Sequence, residues 1–164
     1  MSASPELPQA DGRAPSGAGG DLVAVTIGDQ LFGIPIRRVH DVFTISELTP
    51  VPLARADVAG LLNIRGRVVT AIDLRRRLGL PAPAQPKRRI AVGIEVGGES
   101  FGLIVDDVRE ILSPADDGED HAGHLGERWA ALSRAVHRLE NSLLIELDVD
   151  AVLDLAPSPK DPQP

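Results

Sequence analysis

The chain has 164 residues, a net charge of −7, 43% hydrophobic residues and 2% aromatic ones. That apolar content can bury a core and excludes a wholly disordered chain. Phe32, Phe43, Phe101 and Trp129 are too few for the stacking platforms of a single-strand nucleic-acid binder, and the absence of cysteine excludes disulfides and thiolate metal sites.

Residues 1–20 are rich in Gly, Ala, Pro and Ser and read as a disordered tail, as do residues 156–164. No run of 18 apolar residues occurs, so the expectation is a soluble cytoplasmic protein. Between the tails the pattern is mainly strand. Val23, Val25 and Ile27 alternate with Ala24 and Thr26, and Ile90, Val92, Ile94 and Val96 alternate in the same way. Gly28-Asp29 and Gly97-Gly98 supply turns after these strands.

The stretch that follows the first turn, QLFGIPIRRVHDV from Gln30 to Val42, returns as ESFGLIVDDVREI from Glu99 to Ile111, a constant 69 residues later. A second echo, offset by 75, relates IRGRVVTAIDLRRRL (Ile64 to Leu78) to LENSLLIELDVDAVL (Leu139 to Leu153). In it Gly66 matches Asn141, both tolerant of the left-handed backbone that a tight hairpin needs. Asp73 matches Asp148, each an N-cap ahead of a short helical pattern, and Gly79 ends the first helix. PAPAQPK reads as the linker between halves and 114–126 as an acidic loop. The chain is therefore expected to be all-β, a duplicated unit of about five short strands closed by a helical turn. Two fused five-stranded β-barrels spanning 21–155 are the expected architecture.

The copies differ in charge where they can be matched. Asp41 and Arg65 in the first half correspond to Glu110 and Glu140 in the second. An opposite-charge couple is thus possible in one half only. The wider layout is bipolar: from Arg37 to Arg89 eleven Lys/Arg face four Asp/Glu, and from Ile90 to Leu155 four Arg face fifteen Asp/Glu.

Other constellations carry less. His121 and His124 beside Asp116, Asp117, Glu119 and Asp120 sit in a Gly-rich stretch without metal-ligand spacing. Asp106-Asp107 has no accompanying nucleophile and reads as a solvated turn. Arg75-Arg76-Arg77 reads as the wet face of a helix whose buried stripe is Leu74 and Leu78. Trp129 reads as a hydrophobic cover for a barrel end. No Gly-rich phosphate loop follows a strand, so ATP binding is not expected. The basic 65–89 cluster leaves a nucleic-acid-binding β-barrel as a competing function, and the Asp-rich turns leave a small hydrolase as a third.

VAGLLNIRGRVVTAIDLRRRLGL resembles the signature of the CheW family, the coupling proteins of bacterial chemotaxis. FGIPIRRVHDV, FGLIVDDVREI and RLENSLLIELDVDAVL fit the same family in the same order, over about Leu22 to Leu155. Thr70 departs from the pattern, standing where the family usually carries proline. The resemblance implies two five-stranded barrels with a shared core and a non-catalytic adaptor in two-component signal transduction. It would bridge the cytoplasmic tip of a chemoreceptor and the regulatory domain of a histidine kinase, with no cofactor, metal or nucleic acid, and near the membrane only through the receptor. Carried over, the receptor-binding groove comprises Val39, Asp41, Gly60, Asn63 and Arg65. The kinase-binding surface falls on Phe43, Ile45 and Leu48.

Overall fold

The structure, a computed structural model, describes residues 20–81, 89–114 and 127–154. Both expected tails apart from Gly20, the PAPAQPK linker after Pro81 and the acidic stretch with His121 and His124 lie outside the described residues. Among the described residues ten strands and three short α-helices follow one another, with a 3-10 turn (Ile36–Arg38) between β2 and β3: β1 (Leu22–Ile27), β2 (Gln30–Pro35), β3 (Val39–Thr44), β4 (Val58–Ile64), β5 (Arg67–Asp73), α1 (Leu74–Arg77), β6 (Ile90–Val96), β7 (Glu99–Val105), β8 (Asp107–Leu112), α2 (Glu127–Leu132), β9 (Ser133–Arg138), β10 (Leu143–Leu147) and α3 (Val149–Val152). The strands form two five-stranded sheets, here called A, with order β8-β1-β2-β10-β9, and B, with order β3-β6-β7-β5-β4.

These two orders are the same order. Replacing β1 to β5 by β6 to β10, and the reverse, turns sheet A into sheet B. The registers agree: Val25 pairs with Val108 as Ile94 pairs with Val39, and Phe32 lies beside Ile145 as Phe101 lies beside Thr70. The repeat is therefore a pseudo-twofold, with a consequence that the alternating pattern does not reveal. Each sheet takes its first two strands from one copy and its last three from the other, so neither copy contains a complete sheet. The expectation of one barrel per copy is corrected to this exchange. The sheets are also open, with β8 and β9 as the edges of A and β3 and β4 as the edges of B. Each curls without a closing ladder.

The main core lies between the sheets and draws on both: Val23, Val25, Phe32 and Ile34 from A meet Val92, Ile94, Leu103 and Val105 from B. Each such side chain, once buried, contributes about 1.5–3 kcal/mol. A smaller apolar cluster fills the other face of each sheet, around Phe43 and Val69 on B and around Leu22 and Leu144 on A. Trp129 packs edge-on against Phe32, with centroids 5.5 Å apart, and donates its indole N–H to the Leu78 carbonyl at 2.7 Å. Its reading as a cover over apolar surface agrees with that placement.

Both caps form. Asp73 accepts from the Arg76 N–H at 3.3 Å, and Asp148 accepts from the Ala151 N–H at 3.1 Å. Gly79, with φ of 74°, ends α1. The Leu80 N–H reaches the Arg75 carbonyl at 2.8 Å and the Gly79 N–H reaches Arg76 at 3.0 Å.

Of the arginines of α1 only Arg76 is its wet face; Arg75 and Arg77 are not. Arg75 donates to Asp106 at 2.6 Å and to the Pro81 carbonyl at 2.9 Å. Arg77 donates to the carbonyls of Val152 and Ala151 at 2.9 and 3.0 Å, satisfying the end of α3 from the other copy. Asp106 is likewise no solvated turn residue, because it also accepts the Gly28 N–H at 2.7 Å. The guanidinium heads reach internal acceptors along long stems, a geometry that helical periodicity cannot report. On the opposite side of the pseudo-twofold, Arg38 in the β2–β3 connection donates to Asp150 of α3 at 2.8 Å. In each case a helix is latched to the connection between the second and third strands of the other copy. The charges are inverted: arginine on α1 and aspartate on the connection, then aspartate on α3 and arginine on the connection.

Candidate functional site

Sheet B curls until its edge strand β3 and its β4–β5 hairpin face one another across a cavity of about 150 Å³. Phe43, Ile64 and Val69 supply apolar wall, and Asp41 and Arg65 stand at the mouth. A second rim pair is better fixed: Arg67 donates to Glu95 at 3.2 Å and to Ser100 at 2.9 Å. The Arg65 guanidinium lies 4.0 Å from the Asp41 carboxylate, and its side chain is 82% exposed. At that exposure the pair adds at most about 1 kcal/mol to stability. Its fork of donors is available to an incoming group.

The backbone explains why Arg65 stands there. It has φ of 54° and Gly66 has φ of 83°, both left-handed, as the two central residues of a tight hairpin of primed type require. For glycine this conformation is free, whereas for arginine it costs about 1–2 kcal/mol. Asn63 offsets part of that, its side-chain oxygen accepting the Gly66 N–H at 3.0 Å. The Asn-Ile-Arg-Gly run is therefore a device that holds one guanidinium at a hairpin tip. In sheet A the corresponding Glu140 and Asn141 have no positive φ, so the left-handed turn anticipated at Asn141 does not form there.

The structure gathers the expected groove residues unevenly. Asp41 and Arg65 meet at the cavity, and Val39 stands half-buried at the start of β3. Exposed Asn63 acts on Arg65 through the turn. Gly60 is buried: a Cβ built on it would lie 2.5 Å from the Thr49 carbonyl oxygen, and its φ of 153° disfavours any side chain. Gly60 thus seats the segment between β3 and β4, where Thr49 bridges Leu61.

Of the apolar residues expected to face a kinase, Phe43 is 6% exposed and belongs to the core. Its ring lies over Gly93 and Gly102, so its place as a contact surface is corrected to that of a cavity wall. Ile45 and Leu48 pack partly on the same cluster. The exposed apolar side chains of this segment are Val51 and Leu53. Leu53 is fully exposed and sits at φ of 64° in a turn closed by the Ala54 N–H on the Val51 carbonyl at 3.3 Å. Sequence reasoning passed over it, although Pro52 before it marks the turn.

The basic cluster proposed for nucleic acid is largely committed elsewhere. Besides Arg75 and Arg77, Arg76 bonds the Ala56 carbonyl at 3.1 Å, and Lys87 and Arg88 lie outside the described residues. Arg75 and Arg77 are thus turned to internal acceptors rather than to a phosphate-binding face. Among the described residues no three His, Asp or Glu side chains converge as a metal site, and no helix is long and apolar enough to cross a membrane.

A pseudo-symmetric all-β body whose marked surface is one cleft bearing an exposed, pre-positioned arginine defines a binding module. The chain belongs to the CheW family: the family model described as a CheW-like domain matches residues 21–156. Among curated relatives it is 30% identical over 135 residues to the chemotaxis protein CheW of Rhizobium meliloti, covering 82% of this chain and 87% of that one. To the protein FrzA of Myxococcus xanthus it is 32% identical over 108 residues, covering 60% and 67%. Among solved structures, the scaffolding protein TtCheW from Thermoanaerobacter tengcongensis superposes with a TM-score of 0.75 at 21% identity, covering 90% of this chain and 94% of that chain, which establishes the shared fold.

Proposed function

We propose that this chain is a non-catalytic chemotaxis adaptor that joins the cytoplasmic tip of a chemoreceptor to the regulatory domain of a histidine kinase. The observation that carries the reading is Arg65, held left-handed at a hairpin tip with its donors turned outward beside Asp41. A guanidinium in that setting recognises acceptors in a fixed plane, and lysine replaces it poorly. In this reading Val39, Asp41 and Arg65 contact the receptor, while Asn63 and Gly60 hold the surface in shape. The kinase meets the segment after β3, through Ile45 and Leu48 and the exposed Val51 and Leu53, with Phe43 as the support beneath.

Each contact is a modest interface, gaining strength where many are tethered in one array. The relatives named as chemotaxis proteins support this assignment.

The test is a pull-down of receptor tip and kinase regulatory domain by the wild type and by Arg65→Glu. Because the side chain is exposed, Arg65→Glu is expected to stay folded, keep the kinase and lose the receptor. Normal receptor capture by Arg65→Glu would sink the groove assignment. Receptor capture by the wild type that does not weaken with added salt would count against the electrostatic part.

A further inference from the structure

We propose that the open cleft of sheet B binds a free aromatic α-amino acid, with its ring against Phe43, Ile64 and Val69 and its charged α-carbon groups on Asp41 and Arg65. The cavity is not a flaw of packing. The pseudo-twofold gives each lining position a counterpart in sheet A, and there the same space is filled. Leu31 stands for Ser100, Ala24 for Gly93, Leu144 for Val69, Leu112 for Phe43 and Leu139 for Ile64, all in one apolar cluster. Of the two small residues on its floor, Gly93 admits the Phe43 ring and Ser100 leaves the space that Leu31 takes in sheet A.

The volume left, about 150 Å³, is that of an apolar cavity able to hold benzene. The Phe43 ring offers an aromatic partner for edge or offset contact.

The mouth selects the head group. Arg65 Nη1 and Asp41 Oδ2 are 4.0 Å apart, too far for a hydrogen bond. Asp41 is held by its other oxygen, which accepts the Val42 N–H at 2.8 Å. Two opposite charges fixed side by side, each with bonding capacity left over, match a zwitterion whose ammonium and carboxylate share one carbon. A simple carboxylate would meet Asp41 as well as Arg65, and a simple amine would meet Arg65. In sheet A both positions are acidic, Glu110 and Glu140, so the mouth as well as the floor has diverged.

Binding itself is independent of the adaptor role. On the adaptor reading, the amino acid would occupy the same ion pair as the receptor tip and compete with it.

The test uses the full chain alone, titrated by calorimetry and by amide-shift NMR. The probes are L-phenylalanine, 3-phenylpropanoate, which lacks the ammonium, and 2-phenylethylamine, which lacks the carboxylate. L-Phenylalanine is expected to saturate with Kd of about 0.1–1 mM, and each analogue to bind about tenfold more weakly or worse. The double variant Gly93→Ala with Ser100→Leu, which copies sheet A, should keep the wild-type circular dichroism and lose binding. Arg65→Gln should weaken binding about tenfold and serves if the filled variant does not fold. Lack of saturation by L-phenylalanine, equal binding of 3-phenylpropanoate, or full binding by a folded filled variant each overturns the proposal. Receptor capture measured with saturating L-phenylalanine then tests competition separately. Undiminished capture alongside proven amino-acid binding removes the receptor from this cleft and leaves the amino-acid site standing.

Discussion

The concave faces of sheets A and B began as one design and now differ in kind. Sheet A closes its face with leucines and buries a polar group beneath them: Glu146, 2% exposed, faces His137 at 2.8 Å and Arg134 at 3.3 Å. Sheet B has Ala71, Leu62 and Ala59 at those three places and leaves a cleft at its mouth instead. Duplication left one face free to be filled while the other stayed open, the arrangement of a module with one stabilised end and one available for binding. Polarity sits inside the filled face and outside the open one, so substitutions at matched positions should have unlike effects.

The largest contrast is expected in the apolar walls. Leu144, fully buried, should lose about 3 kcal/mol on Leu144→Ala, whereas Val69→Ala beside the open cleft should lose about 1–2 kcal/mol, because it removes fewer groups where the structure is already loose. Urea unfolding midpoints measure both, and equal losses would break the comparison. The buried cluster comes next. Glu146→Ala alone strands His137, since Arg134 is half exposed, and should cost about 2–3 kcal/mol. Pairing it with His137→Leu, as sheet B does, should recover most of that, since replacing both partners of a buried hydrogen bond by apolar groups is often nearly neutral. A double variant no more stable than Glu146→Ala would show that the pair carries sheet A's structure rather than merely being tolerated in it.

Much of this fold was written in the repeat. The offsets of 69 and 75 residues matched β1, β2, β3 and β5 to β6, β7, β8 and β10, leaving β4 and β9 ahead of the second echo, and the Asp caps and the Gly79 stop appeared where the pattern put them. Strand exchange was illegible because alternation tells which face a residue takes and nothing about its neighbour in the ladder. Both parallel pairings, β2 with β10 and β5 with β7, are tertiary facts of the same sort.

At the site, Asp41 and Arg65 were visible as an opposite-charge couple whose matched positions in the second half are both acidic, and they do approach. The role of Asn63 in shaping a turn, the burial of Gly60 and the inward place of Phe43 depend on how the segment 45–57 folds back, which no periodicity encodes. The latches could have been found. Asp106 falls at the position of Arg37, beside Arg38, and Asp150 falls at the position of Arg75, so the inversion was present in the aligned copies.

That inversion supports a third, smaller contrast. Arg75 and Asp106 are 13% and 17% exposed in their side chains, against 27% and 70% for Arg38 and Asp150. Arg75→Ala should therefore cost about 1–2 kcal/mol by removing a largely buried charge-assisted hydrogen bond to Asp106, and Arg38→Ala less than about 1 kcal/mol. Because the signs are opposite, a first copy paired with another first copy would set Arg75 against Arg37 and Arg38. A second paired with a second would set Asp150 against Asp106 and Asp107. Like charges there favour the pairing of unlike copies. Thermal unfolding of the two alanine variants orders the latches, and a greater loss from Arg38→Ala would reverse the assignment of which one is structural.

The smallest effect is a pH dependence confined to the exposed latch. The Arg38 hydrogen bond, reinforced by its charge, holds the Asp150 carboxyl below its ordinary value, and the same bond raises Arg38, which is charged throughout the accessible range in any case. A depressed carboxyl pKa means that the unfolded chain takes up its proton first. The stabilisation is therefore complete above the unfolded value, near pH 4, and is lost as pH falls through the lower folded value. The melting temperatures of the wild type and Asp150→Asn should differ slightly at neutral pH and converge in acid below about pH 4, with the neutral-pH gap also shrinking in high salt. A gap that persists unchanged in acid would mean that the asparagine disturbs the start of α3 itself, and the exposed latch would then hold by packing rather than by charge.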